Sequence, residues 1–173
     1  MQEQQGQITN KVASSSLVTF DLEAYFKPGD RVLIDIKDQL FQELILKEKD
    51  FRDFIKATRW EDYRGKFVAI NCSVDAIVPT WAYMLLAIAL EPFAAKVVFG
   101  TLEELETAIF QERLKDVDWS LFKDAKVVIK GCSKVNVPVA TYVDVTSRLR
   151  PYVSSIMYGE PCSTVPIFKK AKV

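Results

Sequence analysis

Two stretches decide the fold of this chain: KFVAINCS at residues 66–73 and KVVIKGCS at residues 126–133. A short apolar run rich in β-branched residues is typical of a strand that is buried on both faces of a parallel sheet. Each run leads to a Val-Pro pair, at 78–79 and at 137–138. Proline favours the first turn of a helix, where its missing N–H would have no helical partner. The pattern predicts two strand–helix connections of the same kind.

The similarity between the two stretches continues beyond the prolines. Both contain a tyrosine four residues after the proline, a Leu-x-Pro-aromatic pattern where the helix ends, and an aromatic-glycine pair where the next strand ends. The residues concerned are Tyr83 and Tyr142, 90–93 and 149–152, and 99–100 and 158–159. The register is constant from the Val-Pro pair onward, and the second Cys–Pro loop is one residue shorter. We interpret residues 66–100 and 126–159 as a duplicated βαβ unit.

The rest of the chain is interpreted around this duplication. Residues 1–16 are polar and are predicted to be a flexible tail, so that residues 17–173 form a single α/β domain. Residues 17–65 are predicted to be a preamble with strands at 17–20 and 31–36 and an amphipathic helix over 48–58. Strands that alternate with helices predict a mainly parallel sheet of about five strands with helices on both faces. Thr101 and Glu104 have the spacing of a capping box for a helix between the two units.

Composition excludes several classes of protein. The 173 residues include 23 basic and 23 acidic side chains, so the formal net charge is zero and the basic surface of a nucleic-acid-binding protein is missing. The longest apolar run, within residues 81–90, is too short to span a bilayer. The N-terminal residues lack the apolar region of a secretory signal. We therefore predict a cytoplasmic protein that binds neither nucleic acid nor a membrane.

The chain contains no histidine. This absence excludes Ser–His–Asp and Cys–His catalysis and every metal site that needs imidazole. Chemistry would have to come from cysteine, carboxylates, lysine, tyrosine, hydroxyls, arginine or a cofactor.

The three cysteines share one local pattern, Cys-Ser followed by a short spacer and Val-Pro. They are Cys72, Cys132 and Cys162, and each is predicted to lie at the C-terminal end of a strand, where open parallel sheets bind ligands. Three converging thiolates with a fourth ligand, from Asp75, Glu160 or solvent, would suit zinc or an iron–sulfur cluster. Cysteines that only fill the core, or one reactive thiol, are the alternatives.

A few other side chains could contribute to a pocket at the same edge. Asp75 lies in the loop after the first repeated strand and could be a base or a ligand, or a loop residue. Tyr83 and Tyr142 could flank a symmetric pocket or pack against the sheet. Glu160 could be a general acid or base, or a turn residue. Lys130 and Lys134 flank Cys132 and could lower its pKa, or could be solvated surface lysines.

Three segments also carry a family resemblance: LILKEKDFR at 44–52, DAIVPTWAYM at 75–84 and GEPCSTVP at 159–166. They resemble a small bacterial family catalogued as a domain of unknown function, over nearly the whole chain beyond the N-terminal tail. The resemblance implies a bacterial cytoplasmic protein and assigns no activity, cofactor or functional residue.

The cysteine pattern leads to three functional hypotheses. The first is a protein that binds zinc or an iron–sulfur cluster through Cys72, Cys132 and Cys162. The second is a thiol- or carboxylate-dependent enzyme that acts on a small molecule. The third is a non-catalytic, homo-oligomeric interaction module with cysteines as core residues.

Overall fold

A computed structural model describes residues 17–131, 134–160 and 162–171 of the chain. They form two compact units. We call residues 26–115 the central unit, and residues 17–25 together with the described residues from 116 onward the terminal unit. No helix among the described residues is both long and apolar enough to cross a membrane.

Strands and helices alternate along most of the chain. The strands are β1 (Leu17–Asp21), β2 (Arg31–Asp35), β3 (Leu40–Phe41), β4 (Ile45–Leu46), β5 (Phe67–Asn71), β6 (Lys96–Phe99), β7 (Lys126–Lys130), β8 (Ser155–Glu160) and β9 (Ser163–Lys169). The helices are α1 (Glu48–Ala57), α2 (Thr80–Leu90), α3 (Leu102–Leu114) and α4 (Val139–Leu149). Four short 3-10 helices cover Leu22–Tyr25, Ile36–Gln39, Trp60–Tyr63 and Trp119–Phe122. The α/β class is therefore as predicted.

The prediction of one parallel sheet of about five strands is wrong. In the described part of the chain the strands form a parallel sheet in the order β2-β5-β6, a mixed sheet in the order β1-β7-β8-β9 and a two-stranded antiparallel sheet, β3-β4. The reason is that the two preamble strands pair with different apolar runs: β2 with β5 and β1 with β7. An apolar pattern shows which residues are buried but does not encode which strand lies alongside.

Strand β5 distributes its side chains to two cores in the central unit. Val68 and Ile70 belong to a cluster with Phe51 of α1 and Leu86 of α2. The alternate residues of β5 belong to a second cluster that includes Leu105 and Ile109 of α3. Successive side chains of a strand point to opposite faces, so helices cover both faces of this sheet, as predicted.

Helix α3 is held at its start and along its length by polar contacts. The predicted capping box is confirmed: the Thr101 hydroxyl accepts the Glu104 N–H, and the Glu104 carboxylate accepts the Thr101 N–H at 2.7 Å. Farther along the helix, Glu106 accepts two hydrogen bonds from the Arg31 guanidinium of β2, at 2.7 and 2.9 Å. This two-point contact between largely buried side chains fixes the helix against the sheet.

Corresponding elements of the two units begin 59 residues apart. The pairs of first residues are 60 and 119, 67 and 126, 80 and 139, and 96 and 155. The sequence comparison used a separation of 60 up to the cysteines, and that register is wrong by one residue. Asn71 and Lys130 are the last residues of β5 and β7, so Cys72 corresponds to Gly131 and not to Cys132.

The first strands of the two sheets also end alike, which the sequence comparison missed. Asp21 ends β1 and Asp35 ends β2, and a buried residue, Leu22 or Ile36, begins a 3-10 helix directly afterwards. Each aspartate accepts a hydrogen bond from the backbone N–H two residues later, at 3.0 Å from Glu23 and 3.1 Å from Lys37. The signal in the sequence was the shared order apolar-Asp-apolar.

Candidate functional site

The carboxyl edge of the central sheet gathers the polar residues of that unit. Asp35 and Asn71 are opposite each other at the ends of β2 and β5. The Asp35 carboxylate accepts backbone N–H groups from Lys37 and Ser73, both at 3.1 Å. Burial alone raises the pKa of this carboxyl, but the hydrogen bonds from Ser73 and Lys37 outweigh burial and lower the pKa below its usual value. Asp35 is therefore a structural carboxylate that ties the β5–α2 loop to β2.

The replacement of Asp35 with asparagine should test this role. A lowered folded-state pKa means that the stabilisation is present above about pH 4, where the unfolded carboxyl is ionised, and is lost as the pH falls through the folded-state pKa. We expect the free energy of unfolding to drop by about 1–2 kcal/mol at pH 7 and the deficit to shrink toward pH 2. Urea denaturation at pH 7, 4 and 2 measures it. Asp75→Asn, an exposed change in the same loop, is the control, and a deficit independent of pH would contradict the assignment.

Tyr83 and Cys72 lie at the same edge but form no acid–base pair. Burial, with smaller contributions from Cys72 and Asp35, raises the pKa of the Tyr83 phenol, so the phenol is neutral at physiological pH. Its ring packs edge-on against Phe99 with 4.9 Å between centroids. The half-buried Cys72 thiol donates a hydrogen bond to the Val74 carbonyl at 3.5 Å. Asp75 is exposed.

The corresponding edge of the terminal sheet carries an ion cluster. The Lys130 ammonium lies 3.3 Å from Asp21 and 3.8 Å from Glu160, and these residues end β7, β1 and β8. The hydrogen bond and charge of Asp21, assisted by Glu160, raise the pKa of Lys130. Lys130 is therefore a protonated bridge between carboxylates and not a neutral nucleophile. Glu160, considered above as an acid or base, is exposed and joins this cluster.

Tyr142 occupies the position in the terminal unit that Tyr83 has in the central unit. Its hydroxyl donates a hydrogen bond to the Gly131 carbonyl, and its ring packs edge-on against Tyr158 with 5.7 Å between centroids. The two tyrosines predicted to flank a symmetric pocket thus each contact the aromatic residue of the following strand.

The three-cysteine metal site stays a prediction. Cys72 follows β5 and Cys162 follows β8, both at the C-terminal ends of strands as expected, but Cys132 lies outside the described residues. Cys72 belongs to the central unit and Cys162, which is exposed, to the terminal unit. Within residues 17–131, 134–160 and 162–171, no three His, Cys, Asp or Glu side chains are grouped so that they could hold a metal ion.

Each unit contains an apolar pocket between its central helix and the strand that follows that helix. The pocket of the central unit has a volume of about 490 Å³ and that of the terminal unit about 300 Å³. Five lining positions correspond at the separation of 59 residues: Ile70 and Ile129, Thr80 and Val139, Tyr83 and Tyr142, Ala87 and Thr146, and Phe99 and Tyr158. The sequence analysis anticipated the tyrosines but not the remaining lining residues, because their side chains meet only when helix and strand pack together.

The pockets differ in one wall. Ile167 of β9 lines the pocket of the terminal unit. In the central unit the wall contains Met84, which is exposed. Phe99 is 65% exposed, whereas its counterpart Tyr158 is 40% exposed. The pocket of the central unit is therefore the larger and the more open of the two.

Comparison with known proteins places the chain at the level of a family. No curated protein and no solved structure matches it. The resemblance to a domain of unknown function is confirmed over nearly the full length. The model of the family described as Protein of unknown function (DUF2480) matches residues 6–170, and the chain belongs to that family.

Proposed function

We propose that this protein is a non-catalytic binding module made of two related βαβ units, and that its binding site is the apolar pocket of the central unit. The observation that carries the proposal is the agreement of the two pockets at five corresponding positions. A pocket that recurs at equivalent positions of two differently paired sheets belongs to the shared architecture, and duplication of an ancestral unit accounts for it. Volumes of roughly 300–1,000 Å³ with mostly apolar walls are usual for ligand sites.

The polar groups near the pocket support binding more than chemistry. The carboxylate of Asp35 is occupied by backbone N–H groups, and the Tyr83 phenol is held neutral. In the terminal unit, Lys130 is held protonated between two carboxylates. Catalytic acids and bases need pKa values near the working pH, whereas these environments move the pKa values of Tyr83 and Lys130 upward, away from neutrality.

The ligand that suits the pocket of the central unit is an apolar group. Its walls are aliphatic and aromatic, from Ile70, Met84 and Phe99, with the Thr80 and Tyr83 side chains as the polar contributors. Met84 and Phe99 are each more than half exposed, although both are large apolar side chains. A cluster of exposed apolar residues at the mouth of a concave surface is typical of a binding site.

A fluorescent apolar probe tests the proposal. Anilinonaphthalene sulfonate should bind the folded chain, and Ala87→Phe, which fills the pocket, should weaken its binding roughly tenfold or more. Thr146→Phe makes the matched change in the smaller pocket and should have the lesser effect. Leu121→Ala, at an exposed position outside both pockets, is the neutral control. Far-UV circular dichroism verifies that each variant is folded. If Ala87→Phe and Leu121→Ala bind the probe equally well, the pocket is not the site.

A further inference from the structure

We propose that the open edge of β6 binds an extended segment of a partner protein as an added antiparallel strand, with an apolar side chain of that segment in the pocket of the central unit. The inference rests on the proposed function and names its ligand class. Addition of a strand to a free sheet edge is a common way of recognising peptides, with main-chain hydrogen bonds for affinity and a pocket for specificity.

The terminal unit provides the template for this arrangement. Strand β8 lies between β7 and β9, and β9 is antiparallel to it, with Tyr158 opposite Val165 and Glu160 opposite Ser163. The pocket beside β8 is lined by Ile167, which comes from β9. An antiparallel strand therefore both completes this sheet edge and fills part of the adjoining pocket.

The central unit lacks the strand at the corresponding position. Its sheet ends at β6 within the described residues, because the chain turns after Gly100 into α3 and not into a hairpin. Phe99, which corresponds to Tyr158, is accordingly the more exposed of the two aromatic residues, and the pocket is larger by the space that Ile167 occupies in the terminal unit.

The edge of β6 also lacks the features that usually prevent strand addition. Natural edge strands are often protected by proline, by a bulge or by a free lysine. Strand β9 has Pro166 and a register shift in its pairing with β8. Strand β6 has the sequence Lys-Val-Val-Phe, without proline and without a register shift in its pairing with β5. Its one lysine, Lys96, is held by Glu112 at 2.6 Å.

The charges around β6 define the partner further. Glu112 offsets Lys96, and the exposed carboxylates of Glu103 and Glu104 follow the C-terminal end of the strand. The N-terminal end of an antiparallel partner strand would lie there. The partner is therefore an extended segment with alternating β-branched apolar residues and a basic N-terminal flank. A second copy of this chain fits less well, since its β9 is already paired and carries Pro166.

A peptide titration tests the inference. The probe is a synthetic peptide with the β9 sequence STVPIFK (residues 163–169) preceded by two lysines. It should bind the full chain saturably. Aspartate in place of the isoleucine should weaken binding roughly tenfold or more, the factor expected for one buried aliphatic side chain. N-methylation of alternate amides should abolish binding, and glutamates in place of the two lysines should weaken it.

Variants of the protein locate the binding site. Phe99→Ala should weaken peptide binding about tenfold, whereas Leu121→Ala should leave it unchanged. Equal binding to both variants, or undiminished binding of the N-methylated peptide, overturns the inference. Concentration-dependent dimerisation that Phe99→Ala abolishes also overturns it, in favour of a second copy as the occupant. If the fluorescent probe binds and the peptide does not, strand addition fails while the proposed pocket stands; if neither binds, the proposed function fails too.

Discussion

Gly131→Ala is expected to lower the free energy of unfolding by about 3 kcal/mol or more. Gly131 has a φ of +146°, which residues with a side chain rarely adopt, and an added Cβ would lie 2.7 Å from the Leu22 Cβ and 3.3 Å from the Leu22 Cα. Leu22 is fully buried and cannot move aside without disturbing the core. The backbone strain and the steric clash therefore add. Urea denaturation followed by circular dichroism measures the loss.

Gly65→Ala is the matched control for this prediction. Gly65 has a φ of +71°, but no atom lies within 4 Å of the position of an added Cβ. Only the left-handed backbone conformation is penalised, at about 1 kcal/mol. If Gly131→Ala cost no more than Gly65→Ala, the close approach of Leu22 to β7 would be refuted.

Phe51→Ala is expected to cost about 3–5 kcal/mol, because it removes a large side chain from a packed core and leaves a cavity. Phe51 has no exposed surface, and its ring lies 5.7 Å from that of Phe54 and 6.0 Å from that of Trp81, between centroids. These contacts join α1 to α2 over the central sheet. Their loss should be visible in chemical denaturation as a lower midpoint at an unchanged slope.

Phe99→Ala makes the same chemical change at an exposed position of the same unit. Its ring contacts Tyr83 edge-on, so the expected cost is about 1 kcal/mol or less. The comparison separates the effect of burial from that of aromatic character. A Phe99→Ala variant as unstable as Phe51→Ala would mean that Phe99 is a core residue, and it would remove the basis for the pocket as a binding surface.

The local elements of this protein follow from the sequence. Helix α1 was expected over 48–58 and covers Glu48–Ala57. Helices α2 and α4 begin directly after Pro79 and Pro138, and the Thr101–Glu104 capping box is present. Such features depend on residues within a few positions of one another, so a periodic pattern or a cap residue is sufficient to predict them.

The register between the two units needed the paired strands. Identity at Cys72 and Cys132 suggested a separation of 60 residues, whereas the ends of β5 and β7 require 59 and place Cys72 opposite Gly131. One matching residue is a weaker constraint than a ladder of backbone hydrogen bonds, because a slip of one residue would turn every side chain of the strand to the other face.

What the sequence determined by itself was the α/β class, the apolar strands, the helix starts and the two tyrosines that line the pockets. Tertiary structure decided that β1 pairs with β7 and β2 with β5, that β9 completes one sheet while β6 remains the edge of the other among the described residues, and that Phe99 is exposed. The physical reason is that strand pairing joins residues far apart in the chain. A buried strand has the same alternating pattern whichever neighbour it takes.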